Sequence, residues 1–422
     1  MFIVENSKDF LGTQPVGKLL FKLAIPTVIA QLINMLYNIV DRIFIGHISD
    51  AGSLALTGVG VTMPIIMIVS AFAGLVSSGG APRASISMGK GEGFTLHNTK
   101  MNYTDRCGVC KDIAGTLISF LRMAGFEAYP AMTMAGSRVE SIPADHFNHC
   151  VAVVKLSNGT YMPLDPTWVP FCRELWSSAE QQQNYLPGVP EGSDLCITPV
   201  SAPENHYVRI KADNRLDADG TLRGTFTLTA EGQSDSNIRR IFTTGFQSEW
   251  KSTMERQLLA ISPKARLLSV DYGKNPKDYQ AAPIKITFRY EIPDYALRGE
   301  GEMFFRPMVM NNLYNQVRSY IWIDTSVENR KYGFKDGCSR LVELDETIQL
   351  PAGYKLVSAA KDETMQGVGA DFEGSLVQKG NKVLLHNRLA LKKRVYEASD
   401  WESFRNAVNA HKAYGEYLVI KK

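Results

Sequence analysis

Three residues of this chain have the types and order that thiol chemistry needs: Cys110, His149 and Asp165. In RCGVCKDIAGTLISFLRMAGFEAYPAMTM, apolar residues at Ile113, Leu117 and Leu121, with Ala114 and Ile118 beside them, repeat at helical spacing. Gly108 and Val109 precede the run and Gly125 is a fitting stop, so the spacing predicts a helix with Cys110 in its first turn. The free N–H groups and the macrodipole of that turn favour a thiolate, lowering a thiol pKa of about 8.5 by roughly one to several units.

Farther on, DHFNHCVAVVKLSNGTYMPLDPTW predicts a hairpin. Val151, Val153 and Lys155 alternate, a turn follows at Ser157, Asn158 and Gly159, and Tyr161, Pro163 and Asp165 alternate on the return. The parity is informative. A two-residue Asn-Gly turn would put His149 and Asp165 on opposite faces of the ribbon. A three-residue loop with Gly159 in the left-handed region puts them on one face as diagonal neighbours, so that loop is the one expected.

Together the three residues suit a thiol acyl-transfer enzyme. Cys110 would attack a carbonyl or carboxamide carbon, His149 would take the thiol proton and return it to the leaving amine, and Asp165 would hold the imidazole tautomer. The oxyanion would need backbone N–H donors, most simply that of Cys110 at the helix start. Other uses of these residues are weaker. Cys107 and Cys110 form a Cys-x-x-Cys, but Cys150, Cys172, Cys196 and Cys338 supply no second pair at zinc spacing, and no strand precedes the motif as a redox pair would want. No metal and no cofactor is therefore expected. His146 is an alternative to His149, but only His149 opens the alternating strand. Asp112 is expected as a first-turn electrostatic partner, Lys111 as solvated, and Trp168 as a wall of the site or a core aromatic.

The frame around these residues is uneven. The chain has 422 residues, a net charge of +3 and 21% charged side chains, which excludes a disordered chain and gives no hint of nucleic-acid binding. Only eleven charged residues fall within 1–92, about one in eight, against about one in four after it. All five Trp and all six Cys follow Lys100. Residues 23–40 and 54–76 carry no charge and, with their apolar flanks, are long enough to cross a bilayer, so residues 19–46 and 54–76 are expected to contact lipid. Lys8, Lys18 and Lys22 precede the first run, and Arg83 and Lys90 follow the second. The positive-inside rule then predicts a helical hairpin in an inner membrane with both ends cytoplasmic.

Two resemblances follow from these segments. LGTQPVGKLLFKLAIPTVIAQLINMLYNIVDRIFIGHI and ALTGVGVTMPIIMIVSAFAGLVSSGGAPRASISMGKG resemble the amino terminus of a MATE multidrug/cation antiporter over residues 11 to about 91. The resemblance implies a cation-coupling role for Asp41, whose charge beside a spanning helix is costly unless it faces a polar cavity or pairs with Arg42. That family uses twelve helices and this chain offers two, so no transport by this polypeptide alone is expected. From about residue 93 the chain instead resembles the transglutaminase-like, papain-related core. GVCKDIAGTLISFLRMAGFEA matches the Cys helix, HCVAVVKL the His strand and YMPLDPTW the Asp strand. The resemblance implies Cys110 rather than Cys107 as nucleophile, since the family's Cys directly precedes Lys-Asp, and a peptide or protein substrate. Its members are bacterial and usually exported, with a β-rich domain and helices before the Cys helix, where this chain has the hairpin. The whole reads as a chimera of two unrelated pieces joined near residues 91–93.

The expected class is α+β, with a two-helix transmembrane hairpin, a transglutaminase-like core and antiparallel β-sandwich-type domains. The expected organisation is 1–92 hairpin, 93–178 core, 179–205 polar linker rich in Pro and Gly, 206–335 β-sandwich-like domain and 336–422 C-terminal β-rich domain. A helix is expected near 401–410 and a last strand at 416–420. No catalytic constellation appears beyond the core, so binding or support is expected there.

Overall fold

The computed structural model describes residues 97–105, 108–136, 139–141, 147–168, 180–278, 283–311 and 323–422. The hairpin spans, Asp41, Cys107, His146, Cys172 and the side chain of Trp168 lie outside the described residues. Among the described residues no helix is long and apolar enough to cross a membrane. The chain divides into two compact units, Met1–Glu92 and Gly93–Lys422. The second unit is α+β, rich in strands with few helices.

The first part of this second unit is one sheet and two helices, α1 (Thr99–Asp105) and α2 (Cys110–Met123). The strands are β1 (Ala128–Thr133), β2 (His149–Lys155), β3 (Tyr161–Leu164), β4 (Asn184–Pro187) and β5 (Cys196–Ile197), in the order β3-β2-β1-β4-β5. Neighbouring strands are antiparallel. Ile118 of α2, with Leu117 and Leu121, packs on Ala128, Ala152, Val154 and Leu164. A separate cluster of Ala131, Val151, Val153 and Tyr185 fills the other face. Hence β2 is buried on both sides. Its run CVAVV is continuous in apolar residues because a central strand has two faces to cover.

Residues 179–205, expected as a linker, are instead part of this sheet: β4 pairs with β1 and β5 extends the edge. The polar composition misled because Gln181 and Gln183 are buried with partners of their own. The Gln183 side chain accepts the Val139 N–H at 2.7 Å and donates to the Met134 carbonyl at 2.7 Å.

The second part is built from long alternating strands. They are β6 (Tyr207–Leu216), β7 (Leu222–Ala230), β8 (Arg266–Asp271), β9 (Ile284–Ile292), β10 (Leu297–Arg298), β11 (Glu302–Phe305), β12 (Phe334–Lys335) and β13 (Arg340–Gln349). After them come β14 (Lys355–Leu356), β15 (Lys361–Met365), β16 (Ala370–Lys379), β17 (Lys382–Leu391), β18 (Val395–Tyr396) and β19 (Leu418–Lys421). Eight of them form one sheet in the order β15-β16-β17-β13-β6-β7-β9-β8. A four-stranded sheet, β10-β11-β19-β14, shares its core: Met303, Phe305, Leu418 and Ile420 cluster with Phe226, Phe288 and Phe372.

This corrects the expected division at 335/336. β6 pairs in parallel with β13, Leu341 beside Tyr207 through Gln349 beside Arg215, so strands from both sides of that boundary are neighbours in one sheet. Nor is the assembly purely antiparallel. Strand patterns mark which residues face the core, as in β6, where Val208, Ile210, Ala212 and Leu216 are buried between exposed Arg209, Lys211 and Arg215. They do not say which strand lies alongside.

Two helices here were not anticipated, α3 (Gly232–Thr244) and α4 (Trp250–Leu259). Their buried apolar side chains are sparse, Ile238 and Phe242, then Trp250, Met254 and Leu258. Four-residue spacing amid polar residues gives each helix a narrow apolar stripe that a strand reading overlooks. The final helix, α5 (Trp401–Ala413), matches its expected place and buries Trp401, Phe404, Ala407 and Val408.

Candidate functional site

Cys110 opens α2. Val109 before it is extended, and the Asp112 carboxylate accepts the Val109 N–H at 3.0 Å, closing the first turn from inside. Asp112 also accepts the His97 backbone N–H at 3.1 Å and lies 3.0 Å from its ring Nδ1. Burial pushes the Asp112 pKa up, but the bonds from Val109 and His97 outweigh it and hold the group below its ordinary value. Gly108 is required by close approach: a Cβ there would lie 2.7 Å from Asp112 Cβ. At the far end Gly125 has φ +89°, its N–H reaches the Arg122 carbonyl, and the Phe126 N–H reaches that of Leu121. This is the Schellman arrangement of a glycine-terminated helix. Lys111, expected in solvent, is buried beside the thiol's turn.

The hairpin carrying the other two residues has the three-residue loop. Leu156 N–H donates to the Thr160 carbonyl at 2.8 Å, Gly159 N–H donates to the Leu156 carbonyl at 2.9 Å, and Gly159 has φ +82°. Ala152 then faces Leu164, so the same register puts Asp165 opposite Val151, two residues from His149 and on its face. His149 Nε2 donates to Asp165 Oδ2 at 3.1 Å. The other oxygen, Oδ1, accepts the Thr167 N–H at 2.9 Å and the Thr167 hydroxyl at 2.6 Å. The DPTW turn thus holds the carboxylate from behind.

Cys110 is near enough to His149 for each to shift the other's ionisation. Since Nε2 is occupied by Asp165, Nδ1 is the nitrogen left for the thiol proton. His149 is the largest influence on the Cys110 pKa. It lowers it, burial opposes it, and the Cys150 and Lys111 backbone N–H groups add to the lowering. For His149, burial works against the cation, but the bond to Asp165, the nearby Cys110 thiol and the charges of Glu180 and Asp165 win, taking the pKa up to about 10. Burial likewise opposes ionisation of Asp165, and His149 and Thr167 overcome it, so the carboxyl stays below its ordinary value. All three shifts favour thiolate, imidazolium and carboxylate together, the ionic form of a nucleophilic thiol. Neighbouring Cys150 is different. Buried, it is pushed up to about 12 and stays a neutral thiol.

The sequence reading missed one group. Glu180, at the start of the polar segment 179–205, lies with Oε1 3.3 Å from His149 Nε2 and is 2% exposed. No local signal marks it, because a lone Glu before Gln181, Gln182 and Gln183 has no period and no motif. His149, Asp165 and Glu180 place one donor atom each within 4.8 Å of one another, and this is the grouping of metal-ligand types found among the described residues.

The comparisons with known proteins bear on the two ends of the chain. The family model of MatE matches residues 26–99. A domain of unknown function with a solved structure, DUF3858, matches residues 301–419. Among solved structures, a protein from Parabacteroides distasonis ATCC 8503 described as a "putative protease" aligns at 10% identity with a TM-score of 0.41, over 78% of this chain and 46% of that one. The chain therefore spans about half the length of that protein. The search of curated proteins gives no match.

Proposed function

We propose that the second unit is a transglutaminase-like thiol acyltransferase or hydrolase acting on peptide or carboxamide bonds. The observation that carries the reading is the position of His149, bonded through Nε2 to the Asp165 carboxylate and close enough to Cys110, at a helix start, to lower the thiol pKa. In the proposed reaction the Cys110 thiolate attacks the carbonyl carbon and forms a tetrahedral oxyanion, for which the first turn of α2 offers N–H donors. His149 gives its proton to the leaving amine as the C–N bond breaks, leaving a thioester on Cys110. Water or a second amine then attacks the thioester, His149 removes the incoming proton, and the thiolate leaves. Water gives hydrolysis and an amine gives transfer. Asp165 keeps Nε2–H directed away from the thiol throughout.

The test is competitive labelling of the full chain with iodoacetamide, read by peptide mass spectrometry. Cys110 is expected to react faster than the other five cysteines at pH 6–7. Equal labelling, together with no effect of Cys110→Ala on any binding or turnover, would favour a non-enzymatic binding scaffold.

A second reading concerns the first unit and rests on the MatE match. We propose that residues 19–46 and 54–76 associate with a bilayer as a hairpin, making the chain a chimera of a MATE-like piece and a transglutaminase-like one, with no transport of its own. A peptide spanning residues 87–100, sought by mass spectrometry in the source cells, is expected if the chimera is made. Its persistent absence beside abundant flanking peptides would remove this reading.

A further inference from the structure

Two buried carboxyl groups meet one edge of one imidazole. Asp165 is tied down by three donors, the Thr167 N–H, the Thr167 hydroxyl and His149 Nε2. Glu180 shares the same nitrogen at 3.3 Å, yet its buried Oε1 accepts no hydrogen bond. Such a group is costly to leave in place, and one so positioned calls for a role.

Its position is imposed from far away in the chain. The Glu180 carbonyl accepts the Thr198 hydroxyl. The next residues are clamped by Arg394, whose guanidinium donates to the Gln181 carbonyl at 2.9 Å and to the Gly136 carbonyl at 2.8 Å. The Gln182 side chain accepts the Arg394 and Val395 N–H groups at 2.8 and 3.0 Å, and Gln182 sits at φ +52°. A segment held this firmly in an unfavourable backbone region aims the preceding side chain at a fixed place.

We propose that Glu180 is a positioning residue of the Cys110 site, acting through the His149 ring to keep it protonated in alkaline conditions where it would otherwise discharge. This rests on the thiol-enzyme reading above and adds to it a device that sets the upper limit of the working pH range.

The groups that face Glu180 come from separate elements. From β2 comes His149, from the end of β3 Asp165, from ahead of β18 Arg394, and across the ring from α2 Cys110; Cys150 beside it is neutral. Two neighbouring buried acids do not ionise together readily. Asp165, with its donors, holds the negative charge. Glu180 keeps its proton to about pH 8, chiefly through burial and then through the charge of Asp165. His149 keeps its own to about pH 10. As pH rises, Glu180 therefore ionises first, and its new charge stabilises the imidazolium just before that would be lost. Below about pH 8 Glu180 is neutral and has little influence on the ring, so thiolate formation on that side does not depend on its charge. A charge-specific role therefore affects one limb of the pH profile only.

The experiment is a pH titration of the full chain labelled with 13C at histidine Cε1, read by NMR, beside the pH dependence of Cys110 alkylation by iodoacetamide. Glu180→Gln is expected to lower the His149 titration by about one unit, a tenfold change in the protonated-to-neutral ratio at fixed pH. The acidic inflection of alkylation should stay in place. Glu180→Asp should keep most of the wild-type alkaline behaviour. In the unmodified chain, labelled at glutamate Cδ, one carboxyl should titrate near pH 8, a measurement that needs no variant to fold. An unchanged His149 titration in Glu180→Gln, both limbs moving together, or the lack of a glutamate signal that titrates near pH 8 and is lost in Glu180→Gln would overturn the proposal. A shifted His149 titration in a chain that turns over no peptide or carboxamide would retain Glu180's electrostatic role and reject the enzyme reading instead.

Discussion

Two buried histidines, one in each part of the second unit, have been driven in opposite directions. His149, on the small sheet, is taken up to about pH 10. His411, in α5 against the large sheet, is pushed down to about pH 4. Burial disfavours the cation in both, and is the largest influence on each. The difference is what the ring meets. His149 faces two carboxyl groups and a thiol; His411 faces the Asn387 amide oxygen at 2.5 Å, with the Lys412 charge adding to the effect of burial. The surroundings repeat the contrast. Around His411 lies one continuous core containing Phe226, Phe288, Phe372 and Phe404, in which the buried Glu346 accepts from Asn214 at 2.6 Å and from the Val309 N–H at 3.1 Å. Around His149 the apolar clusters are small, one buried acid oxygen is left without a donor, and the thiol is only partly buried. An ionisable partner within reach, rather than burial alone, decides which way a buried imidazole is driven.

The sharpest way to break this contrast is Cys110→Ala. In the proposed reaction, turnover of a peptide or carboxamide substrate should fall by about a thousandfold or more, with the thermal midpoint little changed, since the thiol is only partly buried and lies at a helix end. A comparable loss of stability would make Cys110 structural. Next comes Phe226→Ala, which removes a ring stacked 4.3 Å from Phe288 and should cost about 3–5 kcal/mol in denaturant unfolding. If the small sheet is energetically separate, Cys110 alkylation keeps its pH profile in this variant. Its collapse would show one cooperative unit.

A smaller effect tests the histidines themselves. Because the folded pKa of His411 is depressed, the unfolded chain binds more protons between about pH 6.5 and 4, so its contribution to stability is present above that window and lost as pH falls through it. His411→Gln should flatten this acid loss by up to about 3 kcal/mol, measured as unfolding free energy against pH. For His149 the sign reverses: the raised folded pKa gives stability below about pH 6.5 that is lost as pH climbs to about 10. His149→Gln should therefore remove an alkaline loss and leave the acid side alone. Matching profiles in the two variants would erase the comparison. Smallest is Gly159→Ala. Its left-handed φ should cost about 1 kcal/mol and slow alkylation slightly by loosening the hairpin register, without moving its pH inflections.

Much of the site was legible because its parts are local. Val109, Asp112 and Gly125 bracket α2 with chemistry that acts within one turn. The parity of His149 and Asp165 decides which hairpin loop can bring them together, and the loop has that form. The errors share one cause. The polar run after residue 179 reads as a linker until the partners that bury Gln181 and Gln183 are in place. The boundary at 335/336 fails because β13 pairs with β6, more than 130 residues earlier in the chain. The narrow stripes of α3 and α4 mean little without the aromatic residues they cover, such as Tyr272 against Phe242 and Trp250.

The amino-acid sequence by itself determined a thiol at a helix start, a histidine and an aspartate on one face of a hairpin, and the α+β class. Capping, turn geometry and strand alternation act over a few residues and need no distant partner. Only the tertiary structure decided that Arg394 should clamp the segment after Glu180, and so bring a second acid to the imidazole. That contact spans more than 200 residues of chain, and its energy comes from burial, a property that no short stretch of sequence possesses alone.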